Sequence, residues 1–89
     1  MERYQGFVLR KAGGMRTLLD LRDPEVSYKK PLQLNETGAD LWERLQLGLT
    51  PDAIADEIAG EYDISREDAL SDILMFVNNL KDFGVPIKE

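Results

Sequence analysis

The side chains of this chain that could take part in chemistry are mostly carboxylates. Its 89 residues include 17 Asp and Glu and 11 Lys and Arg, but no His and no Cys. Without imidazole and thiol groups, the chain lacks the usual nucleophile–base pairs and the usual ligands of zinc and iron. Two carboxylates could act as general acid and base only in a hydrophobic pocket that raises the pKa of one of them. We therefore predict no catalytic residue, no metal ligand and no cofactor.

The clusters that resemble catalytic or ligand-binding motifs have simpler explanations. Asp52, Asp56 and Glu57 lie on one predicted helix, where we expect a solvated face. Asp63 and its acidic neighbours lack the glycine and the oxygen-ligand spacing of a calcium loop. The glycine pair at 13–14 fits a hairpin turn and not a phosphate-binding loop. Binding is therefore the expected activity.

The charges are unevenly distributed along the chain. Residues 1–35 carry seven basic and four acidic side chains, whereas residues 36–89 carry four basic and thirteen acidic ones. An acidic second part argues against nucleic acid as a partner, because phosphates would be repelled. The mildly basic first part could attract an acidic peptide, although a solvated surface tuned for solubility is the favoured explanation of the charges.

The length indicates one small domain spanning residues 1–89, and the strands and helices predicted below make it an α+β domain. Hydrophobic residues make up 43% of the chain, as in ordinary globular domains. No apolar run approaches the roughly 20 residues that span a bilayer, and the N-terminus lacks a signal-peptide core. We expect a cytoplasmic protein with no membrane partner.

Three strands are predicted before residue 35. Residues 6–11 and 15–21 form a hairpin around the glycine turn, and residues 27–34 alternate as a third strand after a loop. Pro31 lies inside this third strand and has no N–H for a sheet hydrogen bond, which indicates an edge strand. Lys29 and Lys30 are typical of edges protected against uncontrolled pairing.

Three helices are predicted after the strands. They cover residues 36–47, a segment that begins at Pro51, and a segment that ends near residue 83. Each follows a residue whose side chain can cap a helix, namely Asn35, Thr50 and Ser65. The first two helices have apolar stripes at helical spacing, formed by Leu41, Trp42 and Leu45 and by Ile54, Ala55, Ile58, Ala59 and Tyr62.

The third helix has two apolar stripes. The first is expected to enter the core and contains Ala69, Ile73, Phe76, Leu80 and Phe83. The second adjoins it and contains Leu70, Leu74 and Val77, ending at Lys81. The second stripe either packs against another helix of the domain or lines a groove for a partner.

The order of these elements resembles the PqqD-like family of peptide chaperones, also called RiPP recognition elements. The resemblance extends from Phe7 to about Val85. It is carried by residues 6–10, by the Leu34-Asn35-Glu36-Thr37-Gly38 junction with Leu41 and Trp42, by Thr50-Pro51 with Ile54-Ala55, by residues 61–64, and by Asp72-Ile73 with Phe76, Leu80 and Gly84.

The resemblance implies a winged-helix-like fold, with a three-stranded antiparallel sheet followed by three helices, and a non-catalytic function in natural product biosynthesis. The leader of a precursor peptide would add as a strand beside the third strand and lie against the third helix. A modifying enzyme such as a radical-SAM protein, a cyclase or a leader peptidase would be the second partner. The peptide-binding residues would be Tyr28, Lys29, Lys30, Pro31, Leu32, Gln33, Leu70, Leu74, Val77 and Lys81.

Two features of this edge leave alternatives open. Pro31 has no backbone N–H to donate to a peptide at the outer side of the third strand. The leader could therefore pair in a shifted register, or a β-bulge could change the direction of the strand. The exposed edge could also pair with a second copy, which would make the chain a structural or dimerisation module and a possible homodimer. A winged-helix nucleic-acid binder is disfavoured, because the third helix is acidic.

Overall fold

A computed structural model of the chain describes residues 3–22 and 31–87. Within these ranges a three-stranded antiparallel sheet precedes three helices, which confirms the predicted α+β fold. The elements are β1 (Phe7–Ala12), β2 (Met15–Asp20), β3 (Leu32–Leu34), α1 (Glu36–Gln46), α2 (Pro51–Tyr62) and α3 (Arg66–Phe83). No helix in the described ranges is long and apolar enough to cross a membrane.

The sheet has the strand order β1-β2-β3. β1 and β2 form a hairpin in which Ala12 pairs with Met15, and Gly13 supplies the positive φ of 62° that the turn requires. β2 pairs on its other side with β3, from Arg16 opposite Leu34 to Leu18 opposite Leu32. β3 is therefore an edge of the described sheet, as predicted.

The third strand differs from its prediction at its beginning. β3 starts at Leu32, and Pro31 precedes the strand and does not lie within it. The proline ring holds φ near −65°, which departs from the more extended backbone of a strand. The rest of the predicted strand, including Tyr28, Lys29 and Lys30, lies outside the described residues.

The three predicted caps are confirmed. Asn35 accepts a hydrogen bond from the Gly38 N–H at 2.8 Å, and Thr50 and Ser65 accept similar bonds at the starts of α2 and α3. These bonds satisfy amide groups that have no partner within the helix.

Asn35→Ala should lower the free energy of unfolding by about 1 kcal/mol, because the cap of α1 is lost. Urea denaturation would measure the difference. Asn35→Asp keeps an acceptor oxygen and should retain most of the stability. Equal losses in the two variants would contradict a capping role.

One core joins the sheet to the helices. Leu18 from the sheet, Leu45 and Ile54 from α1 and α2, and Ile73 and Leu80 from α3 are almost completely buried. The Trp42 ring lies 5.9 Å from both the Tyr4 and the Phe7 rings, measured between centroids. The predicted apolar stripes of α1 and α2 enter this core, except that Tyr62 is 47% exposed at the end of α2.

A buried polar contact fixes the segment before β1. Gln46 is the buried polar residue of the described chain. Its side chain accepts from the Tyr4 N–H at 2.6 Å and donates to the Tyr4 carbonyl at 2.9 Å. Because both polar atoms of the amide are satisfied, it can be buried at little cost while it ties the N-terminal segment to α1.

Part of the acidic surface has a structural role. Arg44 of α1 contacts Asp40 on its own helix and Glu57 and Glu61 of α2, at 3.1, 2.6 and 2.7 Å. Partial burial acts to lower the pKa of Arg44, but hydrogen bonds to Glu61 and Asp40 outweigh this effect and the pKa is raised. Arg44 therefore stays charged and links the first two helices.

Candidate functional site

The outer margin of β3 presents backbone groups that have no strand beside them in the described sheet. In an antiparallel ladder, successive residues direct their N–H and C=O groups to alternate sides. The hydrogen bond from the Leu21 N–H to the Gly6 carbonyl shows that the backbone groups of Leu21 point toward β1. By alternation, the backbone groups of Thr17 and Leu19 also point toward β1, and those of Arg16 and Leu18 point toward β3.

The same alternation determines which groups of β3 are free to bond outward. Leu32 and Leu34 are opposite Leu18 and Arg16, so their backbone groups face β2. The N–H and C=O of Gln33 therefore point away from the sheet. Asn35 continues with an extended backbone at φ −81° and ψ −178°, which places its N–H at the next outward position.

A groove lies directly beside this margin. It has a volume of about 190 Å³ and runs between β3, the start of α1 and α3. Its lining residues are Leu32, Gln33, Leu34, Asn35, Gly38, Phe76 and Asn79. None of these side chains is charged, so the groove suits an uncharged side chain that is mainly apolar.

Gly38 allows α1 to approach β3 closely at one end of the groove. A Cβ atom at this position would lie 3.3 Å from both the Leu34 Cβ and the Asn35 Oδ1. A larger residue would have to displace the end of β3 or the cap of α1. The small residue in the first turn of α1 therefore has a packing role next to the groove.

The flank of α3 that lines the groove differs from the predicted one. Phe76 and Asn79 face β3, whereas Leu70, Leu74 and Lys81 lie on the opposite flank of the helix. With 3.6 residues per turn, Leu74 and Phe76 are separated by about 160° around the helix axis. The fully buried residues Ile73 and Val77 lie between the two flanks on the side that faces the core.

The structure thus places the predicted binding residues in different environments. Leu32 and Gln33 line the groove, and Pro31 is exposed just before them. Val77 is completely buried, which agrees with the alternative that this part of the second stripe packs inside the domain. Leu70 is half-buried and Leu74 is 37% exposed, both away from the groove.

The α3 residues that line the groove, Phe76 and Asn79, are not among the predicted binding residues. Phe76 belongs to the predicted core stripe, and it packs against the core while it also lines the groove. Asn79 carried no signal of its own, because a polar residue on a helix is ordinarily solvated. The one signal in the sequence was Phe76 itself, because an aromatic residue near the border of an apolar stripe can line a groove while it packs against the core.

The described ranges contain no group of three or more Asp, Glu, His or Cys side chains that could hold a metal ion. The geometry beside β3 combines outward backbone groups with an uncharged groove. This arrangement can bind an extended peptide by adding it as a strand.

A family model for coenzyme PQQ synthesis protein D (PqqD) matches residues 17–85. The chain is similar to a solved structure described as lasso peptide synthetase B1 complexed with the leader peptide, with a TM-score of 0.76 and 30% identity over 94% of this chain and 93% of the other.

A second solved structure, TbiB1 in complex with the TbiA(β) leader peptide, is similar to this chain over the full length of both, with a TM-score of 0.76. At 22% identity, this similarity shows a shared fold. No curated protein matches the chain.

Proposed function

Because this chain belongs to the PqqD family, we propose that it is a non-catalytic module that binds the leader of a ribosomally made precursor peptide and presents the peptide to a modifying enzyme. The observation that carries this proposal is the free margin of β3 beside an uncharged groove. The 30% identical structure with a bound leader peptide supports the same class of ligand.

The backbone of β3 would provide the first part of the binding energy. A leader residue opposite Gln33 would exchange two hydrogen bonds with its outward N–H and C=O, and the Asn35 N–H would extend the pairing. Pro31 contributes no N–H, so the pairing would be centred near Gln33 and would weaken toward Pro31. This places the leader over the groove.

Side-chain contacts in the groove would provide selectivity. Leu32 and Phe76 offer an apolar surface, and Asn79 offers an amide for a polar atom of the ligand. A charged leader side chain would lose its hydration there without gaining an ion pair, which is unfavourable. We therefore expect the leader to place an uncharged side chain opposite this groove.

Binding the leader would accelerate modification by holding the rest of the precursor near an enzyme. Tethering converts a bimolecular encounter into an effectively intramolecular one, with local concentrations that can reach the millimolar range. A radical-SAM enzyme, a cyclase or a leader peptidase could each use the module in this way.

Titration with the leader of a precursor peptide whose gene neighbours that of this protein, followed by amide NMR, would test the site. We expect the largest shifts at Gln33 and Asn35, and further shifts at Phe76 and Asn79. Shifts concentrated at Leu70 and Leu74, with none in β3, would contradict the proposed groove.

Gln33→Pro should weaken leader binding about tenfold or more, because it removes the outward N–H and because the proline ring holds φ away from the extended backbone of β3. Isothermal titration calorimetry would measure the change. Gln33→Thr keeps the N–H and favours a strand, so it should bind within about twofold of the unchanged chain. Similar affinities for the two variants would show that this N–H is not used.

A further inference from the structure

The opposite margin of the sheet has its own groove. It has a volume of about 330 Å³ and lies between β1 and α1, lined by Phe7, Val8, Leu9, Trp42, Glu43 and Gln46. β1 is the other edge of the described sheet. Because Gly6, Val8 and Arg10 bond toward β2, the backbone groups of Phe7, Leu9 and Lys11 point outward.

The side chains around this margin carry charges that the described chain does not neutralise. Lys11 and Arg10 are exposed at the end of β1, and neither takes part in an ion pair among the described residues. Glu43 is exposed on α1 beside the groove and is also without an ion pair there. The margin therefore has a basic end, while an acidic group lines the groove.

From this arrangement we propose that β1 pairs with β1 of a second copy of this chain, antiparallel and centred on Leu9. In the new ladder, a residue whose backbone groups point outward must pair with another such residue of the second copy. A register centred on Arg10 or Lys11 would put identical basic residues opposite each other, which is unfavourable. A register centred on Val8 would pair only three residues within β1, whereas centring on Leu9 pairs residues 7–11.

The Leu9-centred register also brings opposite charges together. It places Lys11 of each copy opposite Phe7 of the other, on the face of the sheet that α1 covers. Phe7 and Glu43 line the same groove, so the Lys11 ammonium group would reach Glu43 of the second copy. Arg10 would be opposite Val8 on the other face, and the antiparallel arrangement keeps the two basic ends apart.

This pairing leaves both β3 margins at the outer ends of one six-stranded sheet. A two-fold symmetric contact closes on itself, so the product is a dimer and not a fibre. Each dimer would retain two copies of the groove lined by Leu32 and Phe76. Dimerisation and binding at β3 would then use different edges and would not compete.

Sedimentation equilibrium of the full chain from about 10 μM to about 1 mM would test the dimer. We expect a reversible monomer–dimer equilibrium. Lys11→Glu and Glu43→Lys should each raise the dissociation constant about tenfold, because each creates two like-charge contacts per dimer. The double variant K11E/E43K should restore the original constant.

Arg10→Glu is the matched control, because it changes the net charge as Lys11→Glu does but lies on the opposite face of the sheet. It should leave dimerisation within about threefold of the unchanged chain. A chain that stays monomeric at about 1 mM, or a double variant no better than the single ones, would overturn the proposal.

Discussion

Phe76→Asp should weaken leader binding by about 100-fold, or about 2.7 kcal/mol, because a carboxylate would replace the aromatic ring that lines the groove beside β3. The Phe76 ring borders the groove together with Leu32 and Asn79. A bound leader would enclose this position, so the new charge would lose water contacts without gaining a partner. Isothermal titration calorimetry with the leader peptide would measure the loss.

Met75→Asp provides the matched control for this variant. It introduces the same charge one residue earlier on α3, where the side chain is 64% exposed and does not line the groove. Binding should stay within about threefold of the unchanged chain. Because Phe76 also packs against the core, circular dichroism must confirm that Phe76→Asp is folded.

If Phe76→Asp is unfolded, Asn79→Asp tests the same groove from an exposed position. It should weaken binding about tenfold for the same electrostatic reason. Equal affinities for the Asn79→Asp and Met75→Asp variants would show that the leader binds elsewhere.

Trp42→Ala should lower the free energy of unfolding by about 3–5 kcal/mol. Trp42 is 2% exposed and its ring packs against the rings of Tyr4 and Phe7, so truncation would leave a cavity where the N-terminal segment, β1 and α1 meet. A domain of this size has only about 5–10 kcal/mol of total stability, so much of the chain could be unfolded at 37 °C. Thermal and urea denaturation would measure the loss.

Met75→Ala should change the stability by no more than about 0.5 kcal/mol, because the exposed Met75 side chain contributes little to packing. The same denaturation measurements apply to both variants. A loss below about 1 kcal/mol for Trp42→Ala would contradict the close aromatic packing.

Local signals were sufficient to predict the order of the elements and the starts of the helices. Asn35, Thr50 and Ser65 act as caps because their side chains bond to amides only three residues ahead. The glycine turn of the hairpin is equally local. Pro31 led to the right conclusion about the edge, although it lies just outside β3 and not within it.

The α+β class, the helix starts and the edge strand were therefore predictable without coordinates, because caps, turns and prolines act on near neighbours in the chain. The flank of α3 that faces β3 was not predictable in this way, since the rotation of a helix about its axis depends on how the whole core packs. That rotation buries Val77 and brings Phe76 and Asn79 to the groove. The second groove beside β1 also depends on packing, because it lies between β1 and α1, which are distant in sequence.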